Sequence, residues 1–169
     1  MIWTRLFLAC WLAAVPFQSL ADNASGWQHA TAASPADSRP EGYLSHAREI
    51  VMYAMGFLGV NYRFGGNSPD TGFDCSGLVR YVFSQVVGLV LPHDAREMSR
   101  MGERIAADEL QPGDLVFYNT LRRPFSHVGI YLGDQRFIHA PARGGEVEIV
   151  NMNDRYWRNR FNGVRRVNF

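Results

Sequence analysis

Apolar side chains recur at helical spacing in the first half of this chain and at strand spacing in the second. Over residues 41–58, Leu44, Ala47, Ile50, Val51, Ala54 and Phe57 fall three or four positions apart, which predicts an amphipathic helix stopped by Gly59. Residues 61–74 carry Gly65, Gly66, Pro69 and Gly72 and read as a loop of special backbone geometry. The stripe Cys75, Leu78, Val79, Val82, Phe83 and Val86 predicts a second helix over 75–87, ending near Gly88, with one face for a sheet. A short third helix is predicted at 94–101, after Pro92. Short β-type runs follow at 114–119, 127–132, 136–140, 146–150 and 164–168, separated by Gly, Pro, Asp and Asn. Helices first and consecutive strands afterwards predict an α+β domain over 41–169. Its helices pack on one side of an antiparallel sheet of about five strands.

The first forty residues are patterned differently. Arg5 precedes an apolar run over 6–17 that falls short of the roughly 20 residues a membrane span requires. The run exits through Ser19-Leu20-Ala21 before Asp22, which reads as a secretory signal peptide over 1–21 and leaves no membrane segment after its cleavage. Residues 22–40, rich in Ala, Ser, Asp and Pro, bury too little apolar surface to offset ordering entropy and read as a flexible linker.

Charge and composition then exclude several chemistries. With 17 basic residues against 16 acidic ones, the 169-residue chain lacks the field of an electrostatic nucleic-acid binder. All the basic residues are arginine, so no Schiff-base lysine or lysine-dependent phosphate loop is available. Two cysteines make neither a disulfide framework nor a four-cysteine zinc site. Cys10 leaves with the signal peptide, and Cys75 remains as one thiol, either an inert core residue or a reactive group.

The surroundings of Cys75 favour reactivity. Asp74 can cap the helix that Cys75 opens, the helix terminus favours thiolate, and the Gly-rich loop before it leaves the sulfur accessible. A cysteine nucleophile needs an imidazole within reach and a third group to orient it. His127 and His139 lie on successive strands. Alternation puts Val128, Ile130 and Leu132 on one face and His127, Gly129 and Tyr131 on the other. Matching Ile138 to the apolar face brings both histidines to the opposite one, facing Cys75 from the sheet, through a hairpin loop of odd length with Gly133 at its special position. His127 is then the base and His139 its orienting partner. Zinc, with His93 as a fourth ligand, is the competing reading, but no C-x₂₋₄-C or H-x₃₋₅-H spacing supports it. His29 and His46 read as surface residues, and His93 as a cleft residue outside the catalytic set.

Five ordered motifs carry a family resemblance: Tyr62-Arg63-Phe64-Gly65-Gly66 with Gly72-Phe73-Asp74-Cys75-Ser76-Gly77-Leu78-Val79; Leu91-Pro92; Leu110 to Phe117; His127 to Gly133; and Phe137 to Ala140. Over about residues 45–168 the chain resembles the NlpC-type cysteine peptidases, bacterial cell-wall endopeptidases of compact papain-like fold. The resemblance implies Cys75 as nucleophile, His127 as base and His139 as the third polar residue. It puts Tyr62 and Asp74 on the substrate and oxyanion side, although ordinary packing under the Gly-rich loop is the alternative for Tyr62. It implies amide hydrolysis in peptidoglycan stem peptides or cross-links, no cofactor, a periplasmic or cell-wall location, and room for a regulatory or adaptor protein. The segment 154–166 looks like the murein endopeptidase subgroup. Asp114 reads as a turn residue opening a strand. The five arginines from Arg155 to Arg166, interleaved with Tyr156, Trp157 and Phe161, read as a solvated edge rather than a carboxylate site. A catalytically silent wall-binding module, a Cys/His zinc protein and an acyl transferase stay open as alternatives.

Overall fold

The computed structural model describes residues 41–120, 122–142 and 144–169. The segments read as signal peptide and linker lie outside the described residues. Among the described residues no helix is long and apolar enough to cross a membrane.

Helix α1 spans Glu41–Met55, shorter than the predicted 41–58. Gly56, Phe57 and Leu58 donate to carbonyls three residues back, so the last predicted turn tightens before Gly59 takes φ +82°. The Gly-rich segment forms a small hairpin of β1 (Asn67–Ser68) and β2 (Gly72–Phe73). Helix α2 occupies Cys75–Val87 as its stripe predicts, and ends on Gly88 in the left-handed region at φ 68°. Helix α3 covers only Ala95–Met98, because Arg100 and Met101 again bond three residues back.

The remaining strands are β3 (Glu103–Ile105), β4 (Leu115–Tyr118), β5 (His127–Gly133), β6 (Arg136–His139), β7 (Glu148–Asn151) and β8 (Phe161–Arg166), with α4 (Arg155–Arg158) before the last. They form one antiparallel sheet in the order β3-β8-β4-β5-β6-β7. The pattern of the chain does not announce β3, since two exposed charged residues and one isoleucine show no alternation; it exists because β8 offers it a pairing edge.

Both faces of this sheet are covered. On one, Ile50 and Ala54 of α1 and Leu78, Val79, Val82 and Phe83 of α2 pack on Leu115, Phe117, Val128, Ile130 and Ile138. On the other, Val116, Tyr118, Tyr131, Phe137 and Val164 pack under Met152 and Trp157. Strand β4 is therefore buried at every position. The two main helices take one side, as expected, while the far side is closed by the chain around α4.

Candidate active site

The site begins where the Gly-rich loop meets α2. Asp74 caps the helix: its Oδ1 accepts from the Gly77 N–H at 2.7 Å and the Ser76 hydroxyl at 3.0 Å. Its Oδ2 accepts from the Gly65 N–H at 3.0 Å, and the Asp74 N–H donates to the Gly66 carbonyl. One carboxylate thus clamps loop to helix. Gly77 is required for this contact, because a Cβ there would run into the Gly66 carbonyl oxygen. With both oxygens committed, Asp74 is a positioning residue. A carboxylate cannot stabilise an oxyanion, so the sequence-based placing of Asp74 on the oxyanion side is corrected.

Cys75 opens α2, half-buried, with its sulfur approached by the backbone N–H groups of Val128, Ser76 and Cys75 itself. Burial above all, and then the neighbouring Asp74 charge, push the thiol up to about 11, against the pull of those N–H groups. The expectation that the helix terminus yields a thiolate is therefore reversed: partial charges at the helix end are outweighed by lost hydration and a full negative charge next door.

His127 and His139 do lie on one face of the sheet, with His127 Nε2 3.0 Å from His139 Nδ1. The hairpin delivers this differently from the expectation. Its loop is the two-residue Asp134-Gln135, both at positive φ, and a register shift between Tyr131 and Gly133 supplies the odd residue. The shared face is the one turned away from α2. Val128, Ile130 and Ile138 point into the helix-side core, so the histidines point into the far core. Cys75 meets β5 at its first residues, beside His127, where the Val128 N–H reaches the sulfur.

The histidine pair is buried, His127 at 3% exposure and His139 at 0%. Trp157 stacks on His127 at 5.7 Å between centroids and meets His139 edge-on at 4.8 Å, and Phe137 tilts against His139 at 5.0 Å. This apolar box pushes His127 down to about 4 by loss of hydration, and His139 down to about 2 by the same cause with His127 adding to it. Both imidazoles are neutral at physiological pH. Sequence reasoning does not place Trp157 at the site and reads it only as an aromatic interleaved with the C-terminal arginines. The available signal was a tryptophan in a run otherwise made of charged and polar residues.

Cys75 borders an open cleft of about 340 Å³. Tyr62, Asp74, Ser76 and His93 line it together with Phe64, Arg96, Arg123 and Phe125. Tyr62 is also tied into the fold, its N–H donating to the Gly145 carbonyl at 2.8 Å and its backbone bridging Phe73. Arg96 and Arg123 give the cleft a cationic wall that sequence reasoning missed. Among the described residues no three His, Cys, Asp or Glu side chains gather as metal donors.

Arg166 corrects the reading of the C-terminal arginines as a solvated edge. It is 3% exposed, with Nε and Nη2 each 2.7 Å from one Asp114 oxygen and Nη2 2.9 Å from the Glu109 carbonyl. Asp114 is fully buried and is far more than a turn residue. Arg155 and Arg158 are exposed, as expected.

Residues 59–166 match the model of the NlpC/P60 family. The chain is 44% identical over 118 residues to the gamma-DL-glutamyl hydrolase of Bacillus subtilis, covering 69% of this chain and 28% of that one. It is 43% identical over 113 residues to the murein DD-endopeptidase MepH of Escherichia coli, covering 65% of this chain and 42% of that one. The match thus spans less than half the length of either relative. The solved NlpC/p60 domain of the peptidoglycan hydrolase SagA superimposes with a TM-score of 0.62 at 32% identity, covering 72% of this chain and 98% of that one.

Proposed function

The chain belongs to the NlpC/P60 family, and on that premise we propose that it is a secreted cysteine endopeptidase that hydrolyses amide bonds in the stem peptides or cross-links of peptidoglycan. The observation that carries the reading is the junction at the start of β5. There a cleft-lining thiol at a helix terminus meets strand β5, whose first residue, His127, is buried and hydrogen-bonded to His139 of β6. MepH and SagA, named for murein and peptidoglycan, supply the substrate class.

Both partners start neutral, so proton transfer accompanies attack. His127 Nε2 is engaged by His139, which leaves Nδ1 to take the Cys75 proton. The sulfur bonds to the amide carbonyl carbon, and the developing oxyanion is held by the Cys75 backbone N–H at the head of α2. His127 returns the proton to the nitrogen as the C–N bond breaks. Water, deprotonated by His127, then cleaves the thioester and restores the thiol. His139 holds the His127 ring and its proton in place, and Trp157 keeps water from the pair. Tyr62 borders the reacting carbonyl. Arg96 and Arg123 suit the free carboxylates of a peptide stem. Residues 1–21 serve as the export signal, with the domain acting in the periplasm or wall.

The test is to incubate the purified chain, Cys75→Ala and His127→Ala with purified peptidoglycan and determine the fragment masses. The parent should release muropeptides with newly exposed amine and carboxyl termini, and neither variant should. Release by Cys75→Ala at the parental rate would exclude the thiol as nucleophile. No release by any of the three, with binding to the sacculus retained, would favour a silent wall-binding module.

A further inference from the structure

Two imidazole nitrogens 3.0 Å apart share a single proton between them. If it sits on His127 Nε2, His127 Nδ1 is bare and can accept the thiol proton. If it sits on His139 Nδ1, then His127, neutral and bare at Nε2, carries its proton on Nδ1 and cannot. Productive chemistry therefore demands that His139 be protonated on Nε2. Nothing in the pair itself makes that choice.

The far nitrogen of His139 shows what does. Nε2 is buried and has no hydrogen-bond partner among the described residues, and the carboxylate of Glu148 lies 3.7 Å away. Glu148 is the register partner of His139 across β6 and β7, so its side chain emerges on the same face. The rings against His139 belong to Phe137, Trp157 and His127, and the first two offer no acceptor. At 3.7 Å the contact is longer than a hydrogen bond. The Glu148 side chain is half exposed, however, with solvent on one side to turn into, while the imidazole is fully buried. An Nε2–H aimed at a carboxylate is favourable, whereas a bare lone pair aimed at it is repelled.

We propose that Glu148 is a positioning residue that fixes His139 as its Nε2–H tautomer and thereby leaves His127 Nδ1 free to take the Cys75 proton. The relay Glu148–His139–His127 then extends one residue beyond the proposed triad and ends on an exposed carboxylate at the sheet edge. The inference rests on the proposed function of Cys75 and His127, but its test is read without peptidoglycan.

The chain labelled with ¹⁵N-histidine is compared with Glu148→Ala and Glu148→Gln by long-range ¹H–¹⁵N spectra near neutral pH. The parent and Glu148→Gln, which keeps an acceptor oxygen, should show His139 protonated on Nε2; Glu148→Ala should show proton density moved to Nδ1. In parallel, Cys75 alkylation by iodoacetamide should fall roughly tenfold in Glu148→Ala, the scale of one hydrogen bond to a charged group, and stay near the parental rate in Glu148→Gln. An unchanged His139 tautomer in Glu148→Ala overturns the proposal, as does a Glu148→Gln chain that reacts as slowly as Glu148→Ala. A tautomer shift in a chain that cleaves no peptidoglycan supports the role of Glu148 and refutes the peptidase reading alone.

Discussion

Replacing Arg166 by Met should be among the most damaging single substitutions outside the site. Arg166 and Asp114 face each other through two bonds of 2.7 Å at 3% and 0% exposure. Asp114 Oδ2 also accepts from the Gln111 N–H at 2.8 Å. Removing the guanidinium takes a full positive charge and two short hydrogen bonds from a carboxylate that water cannot reach. An uncompensated buried charge of this kind costs about 3–5 kcal/mol. For a folded unit of about 130 residues the unfolding entropy is roughly 0.27 kcal/mol per kelvin, so Tm should drop by roughly 10–20 °C. The assay is calorimetric or far-UV melting of the parent, Arg166→Met, Asp114→Leu and the double variant. The double variant should recover most of the loss, because an apolar pair of similar volume replaces a buried ion pair at little net cost. Recovery stays incomplete, since the Gln111 N–H and Glu109 carbonyl lose partners worth about 1 kcal/mol each. A drop under about 1 kcal/mol for Arg166→Met, the scale of a surface pair, would refute the reasoning, and so would a double variant no more stable than the single one.

Three further predictions follow from the site. Asp74→Asn keeps an acceptor for the Gly77 N–H but removes the charge that helps hold the Cys75 thiol near 11. The thiol should therefore titrate lower, seen as faster iodoacetamide alkylation at pH 8, with a stability loss of about 1 kcal/mol as the Gly65 bond weakens; an unchanged alkylation profile would contradict it. His127 and His139 are held below their ordinary value in the folded state, to about 4 and about 2, so the unfolded chain binds more protons as pH falls below about 6.5. Stability should be full above that value and fall as pH drops toward 4, with a shallower fall in His139→Gln; parallel Tm-against-pH curves for the two would count against buried neutral imidazoles. Gly129→Ala puts a methyl 2.5 Å from the Phe137 ring and 2.8 Å from the Ile138 carbonyl. It should cost about 1–3 kcal/mol by urea unfolding and slow peptidoglycan cleavage by shifting the ring that backs His139, whereas parental stability would show that Phe137 moves freely.

Local patterns settled the local features. The stripe from Cys75 to Val86, the capping Asp74 and the terminal Gly88 specify α2 because helical contacts lie within four residues along the chain. Matching the apolar residues of β5 and β6 predicts one face for His127 and His139, and the register shift between Tyr131 and Gly133 is what lets a two-residue loop deliver it. The pairing of Arg166 with Asp114, 52 residues apart, leaves no periodic trace, and neither does the pairing of β3 with β8. Nor does the chain around α4 announce that Trp157 closes over the histidines. Which sheet face the histidines occupy depends on where α2 docks.

The charge states separate the two levels most sharply. Sequence alone identified the thiol and the imidazoles and set their order along the chain. It put Cys75 at a helix terminus, from which a lowered thiol follows. Only the tertiary structure decided that the thiol is raised and the imidazoles neutral. Ionisation depends on how much water each group keeps and which charges lie within a few ångströms, and both are set by chain segments that meet only when the sheet closes.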